Sequence, residues 1–257
     1  NTNTPVQVKS FADYFAAVDP YRHPVVMHTY PNQHDRYDDL LGHPTFNGPT
    51  LQYGGIPESA SGGLYGETRD LIESSANAGV SWFVTATEAS GSDAPTPFSP
   101  VTSRQRVYWM WANPMAGGGG IEWYLKNAGA GHAYDLAVED QREFDAHWTQ
   151  TGHLVRFFRD VVQETTLDLE DFTIDNGLTG IGSDWVLADR GRGYILFLRN
   201  GGSVSLTTHG GGSYRVSWFN PRTGAISNRP NVGGSGDQSL GAPPSDTGSD
   251  WVVFVRR

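Results

Sequence analysis

The hydrophobic rhythm changes partway along the chain. Through residues 1–163 apolar positions alternate between helical spacing and short continuous runs. Thr4-Pro5 reads as an N-cap with proline at the first helical position, and Phe11, Tyr14, Phe15 and Val18 come next at the spacing of one helix face. Pro24 to Tyr30 is an apolar run ending in polar and aromatic groups, as in a buried parallel strand entering a loop. Three more strands are expected at Pro49–Tyr53, Val80–Ala86 and Ile121–Leu125, with helices over about 64–77, 102–114 and 140–162. Repeated strand–helix units predict a parallel sheet with right-handed crossovers, either four strands of a (β/α)₈ barrel or an open doubly wound sheet.

Residues 164–257 read differently. Turns recur at Asn200-Gly201-Gly202, Gly210 to Gly212, Asn220 to Gly224 and Gly233 to Gly236. Between them lie strand candidates at 185–188, 193–199, 203–207, 213–219 and 251–256, which predict a small antiparallel β-sandwich. The expected domains are therefore 1–163 and 164–257.

Composition narrows the function classes. The formal net charge of −10 argues against nucleic acid, whose phosphates need a basic surface. The absence of cysteine removes thiol catalysis and thiolate metal sites. No apolar run approaches the ~20 residues of a membrane span, and Asn1 opens directly into a polar segment, so the start looks like a cut inside a longer chain. Eight Trp and eleven Tyr offer flat amphipathic rings suited to stacking on sugars as well as to core packing.

Chemistry in a parallel barrel sits at the C-terminal ends of the strands. The positions there are His28, Tyr30, His34 and Asp35 after the first strand, Gln52 and Tyr53 after the second, Glu88 after the third, and Glu122, Trp123 and Tyr124 in the fourth. Glycoside hydrolysis needs two carboxyl groups flanking the scissile bond. Glu88, just past an apolar run, is the catalytic candidate. Glu122, between Ile121 and Trp123, is costly to bury unless it is paired or lines a cavity, so it is a candidate substrate ligand. His28, Tyr30 and Gln52 are candidate hydrogen-bonders, and Trp123 and Tyr124 candidate sugar platforms. His28, His34 and Asp35 match no zinc spacing. Asp135, Glu139 and Asp140 could hold calcium, but Glu139 and Asp140 more simply begin a helix. No cofactor or metal is called for. No Gly-x-Ser-x-Gly and no Gly-x-Gly-x-x-Gly comes after a strand, and Gly117 to Gly120 precedes one.

His23 to Pro31, Leu51-Gln52, Trp82 to Glu88, Gly117 to Tyr124, Tyr134 to Asp140, and above all Trp218-Phe219-Asn220-Pro221-Arg222-Thr223-Gly224 resemble one family. It comprises the glycoside hydrolases whose (β/α)₈ barrel carries a small C-terminal β-domain named for collagen binding, within the broad apiosidase-like group. The resemblance implies that the chain is the C-terminal half of such a barrel plus the β-domain. It implies that Glu88 is the nucleophile of a retaining hydrolase of polysaccharide or oligosaccharide, in a secreted or periplasmic protein. It further implies that the acid/base residue comes before Asn1, in an N-terminal half supplied as a separate chain or cleaved fragment. Where the family often shows Asp-Glu, this chain has Thr87-Glu88. A non-catalytic carbohydrate- or matrix-binding protein on a degenerate barrel is the alternative, and a structural subunit of a larger assembly a third.

Overall fold

The structure is a computed structural model that describes residues 3–59, 61–89, 94–126, 140–163 and 165–257. Its contacts divide into two units, Asn1–Pro97 with Tyr108–Gln141, and Phe98–Val107 with Arg142–Arg257. The sequence boundary at 163/164 thus falls inside the second unit.

The first unit holds helix α1 (Pro5–Val18), strand β1 (Val26–His28), strand β2 (Gly48–Leu51), helix α2 (Gly63–Asn77), and strands β3 (Thr85–Ala89) and β4 (Ile121–Trp123). The strands form one parallel sheet in the order β1-β2-β3-β4. α1 begins where the sequence predicts it, because the Thr4 hydroxyl caps Gln7 N–H while the Gln7 side chain caps Thr4 N–H. Its apolar face is not covered, since Phe11, Tyr14, Phe15 and Val18 are each about half exposed or more.

The third strand is displaced from the expected 80–86 to 85–89. Residues 83 and 84 satisfy their backbone outside a ladder, Phe83 N–H donating to Asn47 O at 2.7 Å and Val84 O accepting from Gly119 N at 2.8 Å. The buried Asn113 amide braces the same region, donating to Thr68 Oγ1 and Val84 O and accepting from Gly120 N at 2.7 Å. A side chain at Gly118 would run into that amide, and one at Gly119 into the Phe83 ring. The glycine run is therefore a close-packing device that leads into β4. The helix expected over 102–114 is present as α3 (Ser103–Gln105) and α4 (Ala112–Met115), joined by a π-helical turn over Arg106–Trp111.

In the second unit helix α5 (Asp145–Arg156) continues into a π-helical turn over Phe157–Val162. Strands β5 (Thr173–Ile174), β6 (Asp184–Asp189), β7 (Gly193–Leu198), β8 (Val204–Thr208), β9 (Ser213–Phe219), β10 (Ile226–Gly233), β11 (Gly236–Gly241) and β12 (Trp251–Arg256) come after it. They form a six-stranded sheet, β10-β9-β12-β7-β6-β5, and a β11-β8 pair. All the pairings are antiparallel. Tyr194, Leu196, Leu198, Trp218, Val253 and Val255 pack on one face with Val204, Leu206 and Leu240 of the β8–β11 pair. On the other face Phe157 meets Phe219 and Phe254, at ring-centroid distances of 5.0 and 6.2 Å. Covered on both faces, β7 and β12 are buried almost throughout. The second layer is thus a short hairpin-like pair, and a helical segment takes the opposite face. β5, β10 and β11 lie outside the strands expected from sequence; β10 is mostly exposed and polar, and its ladder shifts register around Pro230.

The Trp-Phe-Asn-Pro-Arg-Thr-Gly segment forms a turn in which Asn220 Oδ1 accepts from Arg222 N and Asn220 O accepts from Gly224 N at 2.8 Å. The turn sets the Arg222 guanidinium over the Trp251 ring, and Arg222 donates to the Asp250 carbonyl. Asp250 is the acceptor in a buried bidentate pair with Arg106, both N···O distances being 2.6 Å.

Candidate active site

The cleft that matters opens at the C-terminal ends of β1, β2 and β3. It measures about 380 Å³ and is lined by His28, Thr29, Tyr30, Pro31, Gln52 and Glu88. Parallel pairing puts His28, Thr50 and Thr85 in one row across the sheet. His28 is the last residue of β1, and its Nδ1 lies 2.9 Å from Thr87 Oγ1 and 3.3 Å from Thr50 Oγ1. Its Nε2 lies 3.6 Å from Glu88 Oε1, an electrostatic contact too long for a hydrogen bond.

Glu88 reaches this cleft through an unusual backbone. The β3–β4 register runs Ala86↔Ile121 and then Ala89↔Trp123, so one extra residue is accommodated on β3. Glu88 sits in that bulge with φ 54°, a left-handed conformation that costs a non-glycine residue on the order of 1 kcal/mol. The bulge breaks the alternation of the strand and turns the Glu88 carboxylate toward β2, where the Gln52 side-chain amide donates to Oε2. The carboxylate stays partly open to solvent, with a side-chain exposure of 32%.

Gln52 is itself held. Its carbonyl accepts from Asn32 N at 3.1 Å and from His34 Nε2 at 2.8 Å. Tyr37, buried in the 3₁₀ turn His34–Leu40, donates to the Thr50 carbonyl at 3.1 Å, and burial pushes its phenol up to about 12.

Of the positions expected from sequence, the structure brings His28, Tyr30, Gln52 and Glu88 together. Glu122, Trp123 and Tyr124 are not among the residues that line the cleft, although Trp123 is in register with Ala89, next to Glu88. Glu122 is exposed, so no buried carboxylate needs an internal partner there, and Trp123 is 7% exposed, its ring being core. His34 and Asp35 do not share a metal site, and among the described residues no cluster of three metal-ligating side chains occurs. Asp135 and Glu139 lie outside the described residues. Thr87, in the place where the family often shows aspartate, faces His28 with its hydroxyl, a contact that a threonine's chemistry does not announce in the sequence.

Residues 173–256 match the family described as "Putative collagen-binding domain of a collagenase". No curated relative matches the chain. Among solved structures, the chain is similar to a glycoside hydrolase family 5 protein from Bacteroides vulgatus ATCC 8482, with a TM-score of 0.64 and 12% identity over 96% of this chain. It is similar also to a second protein described as a glycoside hydrolase, with a TM-score of 0.58 and 12% identity over 98% of this chain. The fold is one that glycoside hydrolases use. The chain spans 58% of the length of the first of these and 69% of the second.

Proposed function

We propose that this chain is the C-terminal half of a (β/α)₈ glycoside hydrolase barrel with a small β-domain attached, and that Glu88 is its nucleophile in a retaining reaction on a polysaccharide or oligosaccharide. The observation that carries the proposal is the bulge at Glu88. A strained backbone is kept where it turns one carboxylate into a cleft at the C-terminal ends of parallel strands, beside an amide donor and an imidazole. A carboxylate that accepts from the Gln52 amide and is still reachable from solvent is suited to attack an anomeric carbon. His28 and Tyr30 are proposed to take sugar hydroxyls.

A retaining enzyme needs a second carboxyl group about 5–5.5 Å from the first, to protonate the leaving oxygen. Among the described residues no other carboxylate lines the cleft. The acid is therefore assigned to barrel elements outside these residues, on a separate chain or a cleaved fragment. Two features support such a complement. β1 pairs only with β2 and β4 only with β3 among the described residues, leaving two sheet edges. The face of α1 also presents Phe11, Tyr14, Phe15 and Val18 to solvent. In this reading the protein works outside the cell. No helix among the described residues is long and apolar enough to cross a membrane.

The test is Glu88→Gln in the natively purified protein. Turnover of a sugar substrate should fall at least ~10³-fold with the melting temperature unchanged, and undiminished turnover removes the assignment. A second reading has its own support, since residues 173–256 match a domain described by binding and the cleft lacks a second carboxylate among the described residues. A non-catalytic carbohydrate- or matrix-binding protein would retain sugars in the cleft and release no product, with Glu88→Gln binding as well as the parent.

A further inference from the structure

Behind the cleft, a second set of polar side chains bears on Glu88 without touching it. Glu67, on α2, accepts from Tyr53 O–H at one carboxylate oxygen, and its other oxygen faces His34 Nδ1. The opposite nitrogen of the same ring, His34 Nε2, meets the Gln52 carbonyl at 2.8 Å. A carbonyl only accepts, so Nε2 carries a proton. The His34 side chain is 9% exposed, and its ring lies between Tyr37 and Tyr53, at centroid distances of 6.2 and 4.9 Å. Gln52 and Tyr53 are consecutive and buried, so the Glu67–His34 unit holds the chain at two successive points, the Gln52 carbonyl and the Tyr53 hydroxyl. From that held backbone the Gln52 side-chain amide donates to the Glu88 carboxylate.

We propose that His34 and Glu67 are positioning residues for Glu88, fixing the Gln52 backbone so that its side-chain amide holds the carboxylate on the β3 bulge. This rests on the reading of Glu88 as nucleophile, and it adds two residues that never meet the substrate. Side chains that hold a reacting group in place act on the chemical step, and misplacement of ~1 Å can cost about 10²-fold in rate.

Three variants separate positioning from simple structural support. His34→Phe keeps the ring between its tyrosines and loses both ring nitrogens. His34→Gln places an amide N–H near the position of Nε2 and so keeps the bond to Gln52. Glu67→Gln keeps an acceptor for Tyr53 and weakens the hold on His34. In the native protein His34→Phe should lower kcat about 10- to 100-fold with KM within about twofold, His34→Gln should recover most of that loss, and Glu67→Gln should fall between. Equal losses in the Phe and Gln variants, or losses that track the folded fraction, would overturn the proposal. A second measurement does not depend on catalysis. In this chain the ¹⁵N side-chain amide resonance of Gln52 should move in Glu88→Gln and in His34→Phe but stay near its parent position in His34→Gln. A Gln52 amide indifferent to His34→Phe overturns the network. If instead that resonance responds as expected while Glu88→Gln keeps full turnover, the nucleophile assignment alone fails.

Discussion

Replacing Asp250 with Asn is a severe test of how the second unit is held. Arg106 and Asp250 meet through two parallel N–H···O bonds of 2.6 Å, with the Arg106 side chain 5% exposed and that of Asp250 fully buried. The substitution keeps volume and removes charge, so the guanidinium is left buried with Gln150 Oε1 at 3.2 Å as a neutral acceptor. Breaking a buried ion pair from one side costs about 3–5 kcal/mol, most of it the uncompensated partner. A unit of this size loses about 3 °C per kcal/mol, which makes the expected fall in melting temperature about 10–15 °C. Urea unfolding monitored by tryptophan fluorescence should give the same loss as a lower midpoint with an unchanged slope. The pair Arg106→Met with Asp250→Leu should recover much of the loss, because Arg106 is then not stranded and Arg222, 3.8 Å from Asp250 Oδ1, still has the residue-250 carbonyl and Asp246. A loss below about 1 kcal/mol in Asp250→Asn would refute the reasoning, since it would mean that the guanidinium finds water or another anion at no cost.

The same geometry sets other outcomes. Gly118→Ala should destabilise by about 1–3 kcal/mol, because the new methyl meets the Asn113 amide, which three hydrogen bonds hold still. Gly119→Ala should cost less, because it meets the tip of the half-exposed Phe83 ring, which can swing away; thermal melts of the two variants check the order. Burial lowers His147 to about 4 from 6.5, so the unfolded chain binds its proton first on acidification. The His147 contribution to stability is present above pH 6.5 and is lost as pH falls toward 4, so His147→Gln should flatten the stability profile over that window. Burial raises Asp184 from 3.8 to about 6, which has the opposite sign. Stability should fall as pH rises from 4 to 6, and Asp184→Asn should remove that fall in urea titrations at stepped pH.

Much of the first unit was legible because its physics is local. The Thr4–Gln7 box announces α1, the apolar run at 24–30 announces β1, and α2 runs Gly63–Asn77 against an expectation of 64–77. The features that escaped depended on partners distant in sequence. Val80–Val84 has the composition of a strand, but its backbone groups go to Asn47 and Gly119, and no periodicity records that. Glu122 sits between two apolar neighbours and is nonetheless exposed, because alternation alone does not say which face of a strand is covered. In the second unit, Gly193–Leu198 and Trp251–Arg256 are apolar at nearly every position, which is the mark of a strand covered on both faces. At the cleft, His28, Tyr30, Gln52 and Glu88 could be found from their places at or just past the C-terminal ends of the expected strands. The bulge that aims Glu88 and the His34–Glu67 brace behind it could not, for both are matters of register and tertiary contact.

Covalent trapping bears most directly on the central claim. The natively purified protein would be incubated with a panel of dinitrophenyl 2-deoxy-2-fluoroglycosides, digested, and mapped by mass spectrometry. One glycosylated peptide is expected, with the sugar esterified to Glu88, and that label should be lost in Glu88→Gln. A sugar esterified to any other carboxylate, or active protein that Glu88→Gln leaves fully active, would contradict that claim.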